Sequence, residues 1–272
     1  MQSFDNIRAL IIDMDGVLWH GDQPQAGLIE FFQTLRELRL PFVLATNNAG
    51  MTAEQYVTKL ANMGVTVALN EILTSGMATA LYLSKHYHPE HTRAFVIGGV
   101  GARQPLIDKG FTLTGLYETG PEQRAHLVVC GLDRDLSWDK LATATLNIRA
   151  GAFFIGTNGD TSLPTELGVT HGNGAILAAI HAATGVAPTI IGKPEPIIYQ
   201  QAMDLLGVDM DYTIAIGDRL DTDILGALRT GIRSLLVLSG IATEADLKHV
   251  DYAPDWVMQD IRDVTRMLRN AA

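Results

Sequence analysis

The sequence predicts an α/β protein in which a mainly parallel sheet is interrupted by a second α/β domain. Three observations carry this expectation. Short, continuously apolar runs alternate with helix-period segments almost from end to end; strands of that kind are buried on both faces, and the helices between them supply the covering layers. Three of the runs end directly in polar clusters. Finally, the stretch from Asn48 to Lys193 is far too long for a loop and carries its own strand–helix alternation.

Taken in order, the apolar runs lie at 9–12, 42–45, 95–97, 127–129, 152–155, 190–191, 214–216 and 234–238. Helical patterns fall between them at 28–38, 53–63, 138–148, 175–183, 197–206 and 222–228. Thr52-Ala-Glu-Gln55 reads as a capping box opening the second of these helices, with Gly64 as its stop. Gly207 and Gly231 end two later helices in the same way. The expected division is a core formed by 1–83 and 182–272, with an inserted domain over 84–181. Its hinges fall near 85–92 and 182–188, where polar, small and Pro residues gather.

Composition narrows the function. The 272 residues are 47% hydrophobic and 18% charged, which fits a compact fold rather than disorder. Twenty Lys and Arg against thirty Asp and Glu give a net charge of −10, so the field that non-specific nucleic-acid binding needs is missing. An anionic substrate would need local help from a metal ion or a placed Lys. One cysteine, Cys130, excludes an intramolecular disulfide and fits a reducing compartment. The opening Met-Gln-Ser-Phe-Asp-Asn-Ile-Arg lacks the shape of a signal peptide, and no apolar run approaches a membrane span. The expectation is a cytoplasmic protein that binds neither nucleic acid nor membrane.

The chemistry-bearing residues sit where the runs stop. Ile11-Ile12 runs into Asp13-Met14-Asp15-Gly16, Leu44-Ala45 into Thr46-Asn47-Asn48, and Ala215-Ile216 into Gly217-Asp218. In an open parallel sheet, ligands bind beyond the carboxyl ends of the strands, so neighbouring strands would bring the three clusters into one crevice. A carboxylate such as Asp13 can attack phosphorus, and a second one two residues on, Asp15, can protonate the leaving group and then activate water. An Asp-x-Asp can also be a solvated turn. Asp218 and Asp223 form a second acidic cluster; a helix start accounts for Asp221 well but for Asp218 poorly. Carboxylates gathered this closely need protons or a cation, and hard oxygen ligands suit Mg²⁺. Lys193, between Gly192 and Pro194, suits a positioned cation, although an arbitrary lysine is a surface charge. Thr46, Asn47 and Asn48 offer a hydroxyl and amides to phosphate oxygens, or else form an Asx-turn.

Together, Asp-Met-Asp-Gly-Val-Leu, Thr-Asn-Asn, Gly-Lys-Pro and Gly-Asp-Arg-Leu-Asp-Thr-Asp-Ile, in this order, resemble the four motifs of the haloacid dehalogenase-like hydrolases. The wording is closest to the class IIA branch, with its NagD-type and p-nitrophenyl-phosphatase-like enzymes, and the likeness runs from Ile7 to Ala253-Pro-Asp-Trp-Val257. The resemblance implies a Rossmann-like parallel-sheet core with an inserted α/β cap domain. It implies Asp13 as the phosphorylated nucleophile and Asp15 as general acid/base. Thr46, with Asn47 and Asn48, would bind phosphate, and Lys193 would stabilise the phosphoaspartate. Mg²⁺ would be held by Asp218, the Asp13 side chain and the Asp15 carbonyl, with Asp223 orienting the site from outside. Asp15 sets the chain apart from dehalogenases, and no Lys-Thr-Gly-Thr of P-type ATPases follows Asp13. The implied activity is Mg²⁺-dependent hydrolysis of a small phosphorylated metabolite. A phosphosugar mutase and a non-catalytic phosphometabolite-binding protein are the alternatives, and family analogy suggests a homodimer.

Other signals call for less. Gly98-Gly-Val-Gly101 lacks the third Gly of a dinucleotide fingerprint, since Gln104 stands there; a strand-to-helix turn explains it. His86, His88 and His91 read as surface or hinge histidines, and Cys130 as a small buried hydrophobe. The segment 157–172, with Asp160, Leu163, Pro164 and Glu166, reads as a loop that by resemblance faces substrate; an ordinary Pro-containing loop is the plainer account.

Overall fold

The computed structural model describes residues 4, 6–165 and 167–271. The chain divides into two compact units, one formed by Met1–Thr46, Glu54–Leu73 and Lys193–Ala272, the other by Asn47–Ala53 and Thr74–Gly192.

The first unit opens with β1 (Ala9–Ile12), the small antiparallel pair β2 (Trp19–His20) and β3 (Gln23–Pro24), helix α1 (Leu28–Glu37), β4 (Phe42–Thr46), α2 (Ala53–Asn62) and β5 (Ile72–Thr74). The second unit then supplies α3 (Ser75–His86), β6 (Arg93–Ile97), α4 (Val100–Asp108), β7 (Thr112–Leu113), β8 (Leu127–Cys130), α5 (Trp138–Arg149) and β9 (Phe153–Gly156). It closes with β10 (Ser162–Thr165), β11 (Gly168–His171), α6 (Asn173–Thr184) and β12 (Thr189–Ile190). The chain returns to the first unit through α7 (Pro196–Leu206), β13 (Thr213–Gly217), α8 (Leu225–Thr230), β14 (Arg233–Val237), β15 (Trp256–Met258) and α9 (Ile261–Ala271).

The first sheet runs in the order β15-β14-β13-β1-β4-β5. β1 pairs in parallel with β13 on one side and β4 on the other, in the registers Ile12↔Ile216 and Ile12↔Leu44. The three strands that end in polar clusters are therefore adjacent, which meets the condition for one crevice. β1, β4 and β13 are buried throughout, as their unbroken apolar runs require. Gly207 and Gly231 terminate α7 and α8 in the left-handed conformation, as expected. Residues 220–224 form a π-type turn that leads into α8, so the first part of the helix expected over 222–228 is π-type.

The second unit holds its own parallel sheet, β12-β9-β8-β6-β7. Its core gathers Phe95, Val128, Cys130, Ile148, Phe154 and Ile176. Its boundaries are wider than the expected 84–181. The reason is packing: α3 lies against α4 so closely that a Cβ at Gly76 would come within 2.1 Å of the Gly101 carbonyl oxygen, and residues 49–51 pack on the same glycine. Residues 162–171, expected as a loop, form the antiparallel hairpin β10–β11, with Leu167 and Val169 exposed at its end. Glu166 lies outside the described residues.

Candidate functional site

The expected catalytic aspartate, Asp13, follows β1, and its N–H donates to the Ile216 carbonyl at 2.8 Å, locking it beside the end of β13. Lys193 precedes α7, and its ammonium sits among the strand ends. It donates to Asp13 Oδ1 at 2.5 Å, to Asp223 Oδ1 at 2.6 Å and to the Ala45 carbonyl at 3.1 Å. The Lys193 and Asp223 side chains are 4% and 3% exposed, while Asp13 keeps 12%. Asp13 is therefore the member of this trio that an incoming molecule can reach.

Asp218 completes the cluster: Asp13, Asp218 and Asp223 each offer an oxygen within 4.8 Å of the others. Asp218 Oδ2 accepts the Ile241 N–H at 2.8 Å, and its carbonyl accepts from Ala242 at 3.0 Å. The carboxylate fits there only because its neighbours lack side chains. A Cβ at Gly16 or Gly240 would lie 2.3 Å or 1.9 Å from Asp218 Oδ2, and Gly16 adopts a φ of +82° as the sharp turn after Asp15 demands.

The electrostatics follow from this crowding. Burial, followed by the nearby Asp223, pushes the Asp218 carboxyl up to about 6. Burial also raises Asp13 well above the carboxylate range, with Lys193 pulling it down and Asp223 and Asp218 pushing it further up. Burial works against the Lys193 charge, but Asp13 and Asp223 outweigh it and hold the ammonium well above its ordinary value. Three carboxylates thus face one ammonium. The donor set is hard oxygen, so the residues present fit a small divalent cation. Asp223 has both oxygens committed, Oδ1 to Lys193 and Oδ2 to the Arg219 N–H at 3.1 Å. Asp13 and Asp218 are better placed to turn an oxygen to an ion. The Tyr199 hydroxyl donates to the Asp223 carbonyl at 2.9 Å and holds this segment from α7.

Asp15 is exposed, and its Oδ1 accepts the indole N–H of fully buried Trp19 at 2.7 Å. Sequence reading did not single out Trp19; its spacing of four from Asp15 was the available signal. Thr46 is the buried last residue of β4, the strand next to β1. Asn47 and Asn48 belong with the second unit. Asn48 Oδ1 accepts the Gly50 N–H at 2.8 Å, an Asx-turn, and the Asn47 amide donates to both oxygens of Asp160 at 3.2 Å. The Asn158 amide in turn reaches the Asn47 carbonyl at 2.8 Å, and Ser75 Oγ reaches it at 2.6 Å. This web of contacts distant in sequence was not foreseen.

The signals set aside in the sequence remain so. Gly98–Gly101 is a strand-to-helix turn between β6 and α4. His86, His88 and His91 are exposed, and burial raises the Cys130 thiol far from nucleophilic range.

The family model for haloacid dehalogenase-like hydrolases matches residues 10–112, and a second HAD-hydrolase-like model matches 190–264. An acid sugar phosphatase of Staphylococcus epidermidis is 36% identical over 254 residues, covering 93% of this chain and 95% of its own. The chain belongs to the haloacid dehalogenase-like hydrolases. Within that family it falls in the NagD-type, p-nitrophenylphosphatase-like phosphatase branch. The 4-nitrophenylphosphatase of Thermotoga maritima superposes with a TM-score of 0.90 at 34% identity, over 98% of this chain and 99% of that one. A Pyrococcus horikoshii protein superposes with the same TM-score at 41% identity, over 96% and 100%. Among the described residues, no helix is long and apolar enough to cross a membrane.

Proposed function

We propose that this hydrolase is a Mg²⁺-dependent phosphatase that cleaves small phosphate monoesters, sugar phosphates among them, through a phosphorylated Asp13. The observation that carries the reading is the Lys193 ammonium bridging Asp13 and Asp223, with Asp218 alongside, at the ends of adjacent parallel strands. The acid sugar phosphatase and nitrophenylphosphatase relatives favour a monoester substrate.

In the first step an Asp13 carboxylate oxygen bonds to phosphorus as the bond to the leaving oxygen breaks, and Asp15 gives its proton to that oxygen. In the second, Asp15 takes a proton from water, whose oxygen bonds to phosphorus while the bond to Asp13 breaks and phosphate departs. Lys193 draws Asp13 toward its ionised form, orients it and offsets charge on the phosphoryl group. The Thr46 hydroxyl takes a phosphate oxygen. Asp13 and Asp218 would hold Mg²⁺ with the Asp15 carbonyl, while Asp223 orients Lys193 and the Arg219 backbone. When bound, Mg²⁺ supplies the positive charge that lets a carboxylate approach an anionic ester. We assign the second unit the part of the cap that selects substrates, and place the enzyme in the cytoplasm as a homodimer.

The test is phosphate release from p-nitrophenyl phosphate and a panel of sugar and other metabolite monoesters, with Mg²⁺, with chelator, and with Asp13→Asn. Release that requires Mg²⁺ and is lost in the variant is the expected result. Mg²⁺-dependent binding without release would favour the non-catalytic alternative, and an isomeric sugar phosphate in place of free phosphate would favour a mutase.

A further inference from the structure

Asp15 poses a problem for the acid/base role just proposed. It is exposed, and a carboxyl group at the surface samples several orientations, whereas proton transfer in both half-reactions needs one. The structure supplies a fixed donor to it. The Trp19 indole N–H lies 2.7 Å from Asp15 Oδ1, and Trp19 is 0% exposed. The ring is held on several sides. Tyr56 of α2 stacks on it at 6.3 Å between centroids and 24° between planes, and the Lys59 ammonium stands 4.9 Å from its centroid. Lys59 is itself tied to the Gly21 carbonyl at 2.7 Å. The backbone closes the arrangement, since the Gly16 N–H donates to the Trp19 carbonyl at 2.8 Å and a β-bridge joins residues 15 and 19.

We infer that Trp19 is a positioning residue for Asp15: its indole N–H fixes Oδ1 and thereby assigns the transferred proton to Oδ2. This rests on the reading of Asp15 as general acid/base. The chemistry of the donor makes the assignment. An indole N–H donates one hydrogen bond and accepts none. It can therefore bind the oxygen that never carries the proton, and it keeps that bond whether Asp15 is protonated or ionised. The oxygen left to exchange protons with the leaving group and then with water is Oδ2. A hydroxyl or amide at position 19 could rotate or accept, and would let the proton reside on either oxygen.

A double-mutant cycle on kcat/KM tests this with two esters. An alkyl phosphate such as glycerol phosphate expels an alkoxide and needs its proton; p-nitrophenyl phosphate expels a stable phenolate and needs it far less. Trp19→Phe is expected to lower kcat/KM about 10- to 100-fold for the alkyl ester and only about threefold for the aryl ester. In an Asp15→Asn background it should add almost nothing. Benzothienylalanine at position 19 keeps both fused rings and replaces the N–H by sulfur. It should reproduce the selective loss even where Trp19→Phe fails to fold. Equal losses for the two esters, the same loss with and without Asp15, or wild-type rates with benzothienylalanine would each overturn the inference and leave Trp19 a packing residue. If Asp15→Asn itself treats both esters alike, the acid/base reading of Asp15 falls, and the positioning role with it. That pattern is distinct from failure of Trp19 alone.

Discussion

The two units are built from the same parts, a parallel sheet with polar residues where its strands end, yet they use those residues in opposite ways. In the second unit, Asp133 follows β8 and is matched one to one. Its Oδ2 accepts Lys140 Nζ at 2.8 Å and the Gly98 N–H at 3.1 Å, and its Oδ1 accepts the Asp135 N–H at 2.9 Å. Asn173 likewise donates to the Cys130 and Asn158 carbonyls at 3.0 and 2.7 Å. These groups stitch loops together. In the first unit, Asp13 and Asp223 share Lys193 with Asp218 alongside, and burial, with the neighbouring carboxylates adding to it, raises Asp13 and Asp218. The lesson is that a strand-end polar cluster points to chemistry when its own fold leaves it unbalanced. Topology alone does not separate the two cases.

The comparison breaks first at the two lysines. Lys193→Met removes the cation from three clustered carboxylates and should lower phosphate release by at least about a hundredfold. It should also cost about 3–5 kcal/mol in urea unfolding of metal-free protein, because buried charges lose their partner. Added Mg²⁺ should return part of that stability. Lys140→Met removes an equally direct partner from buried Asp133, whose Lys is 26% exposed. It should cost a smaller amount, about 1–3 kcal/mol, with no recovery in Mg²⁺. If both variants responded alike to the ion, the distinction between balanced and unbalanced clusters would be lost.

A smaller effect sharpens the same contrast through pH. Asp218 has a folded value of about 6, above its ordinary one, and Asp13 is raised in the same direction. For raised groups the folded state binds protons more readily than the unfolded chain. The Asp218 contribution is fully present below the ordinary carboxylate value and is lost as pH rises through about 6, and Asp13 acts in the same direction. Chelated protein should therefore gain stability from this cluster on going from neutral pH towards about 5, whereas Mg²⁺-loaded protein should not. Urea titrations at several pH values, with and without chelator, read this directly. Lys140→Met, outside the cluster, should leave the difference in place.

Much of this was legible in the sequence, for identifiable reasons. Asp13, Asp218 and Thr46 stand at the ends of unbroken apolar runs, and such runs suit buried strands, so their ends point to a crevice before any contact is known. Lys193 stood out because Gly192 and Pro194 flank it, and Asp223 because it shares an acidic cluster with Asp218 in a motif that resembles the family's. The pattern of α3 was not, since Ser75-Gly-Met-Ala-Thr-Ala80 sets Gly76 and Thr79 among its helix formers and shows no apolar stripe, while α3 packs closely against α4. The hairpin β10–β11 escaped because its strands are short, β11 is exposed and the sequence of β10 carries Pro164. Asn47 bonding to Asp160, and Trp19 to Asp15, depend on side-chain directions that no periodicity encodes.

The most direct test of the central claim, that Asp13 carries the phosphoryl group, is rapid acid quenching during the first turnover, followed by mass spectrometry of the peptides. The expected result is a phosphoryl group on the peptide bearing Asp13, formed with Mg²⁺ and absent with chelator and in Asp13→Asn. A phosphoryl group on another residue, or wild-type turnover by Asp13→Asn, would contradict it.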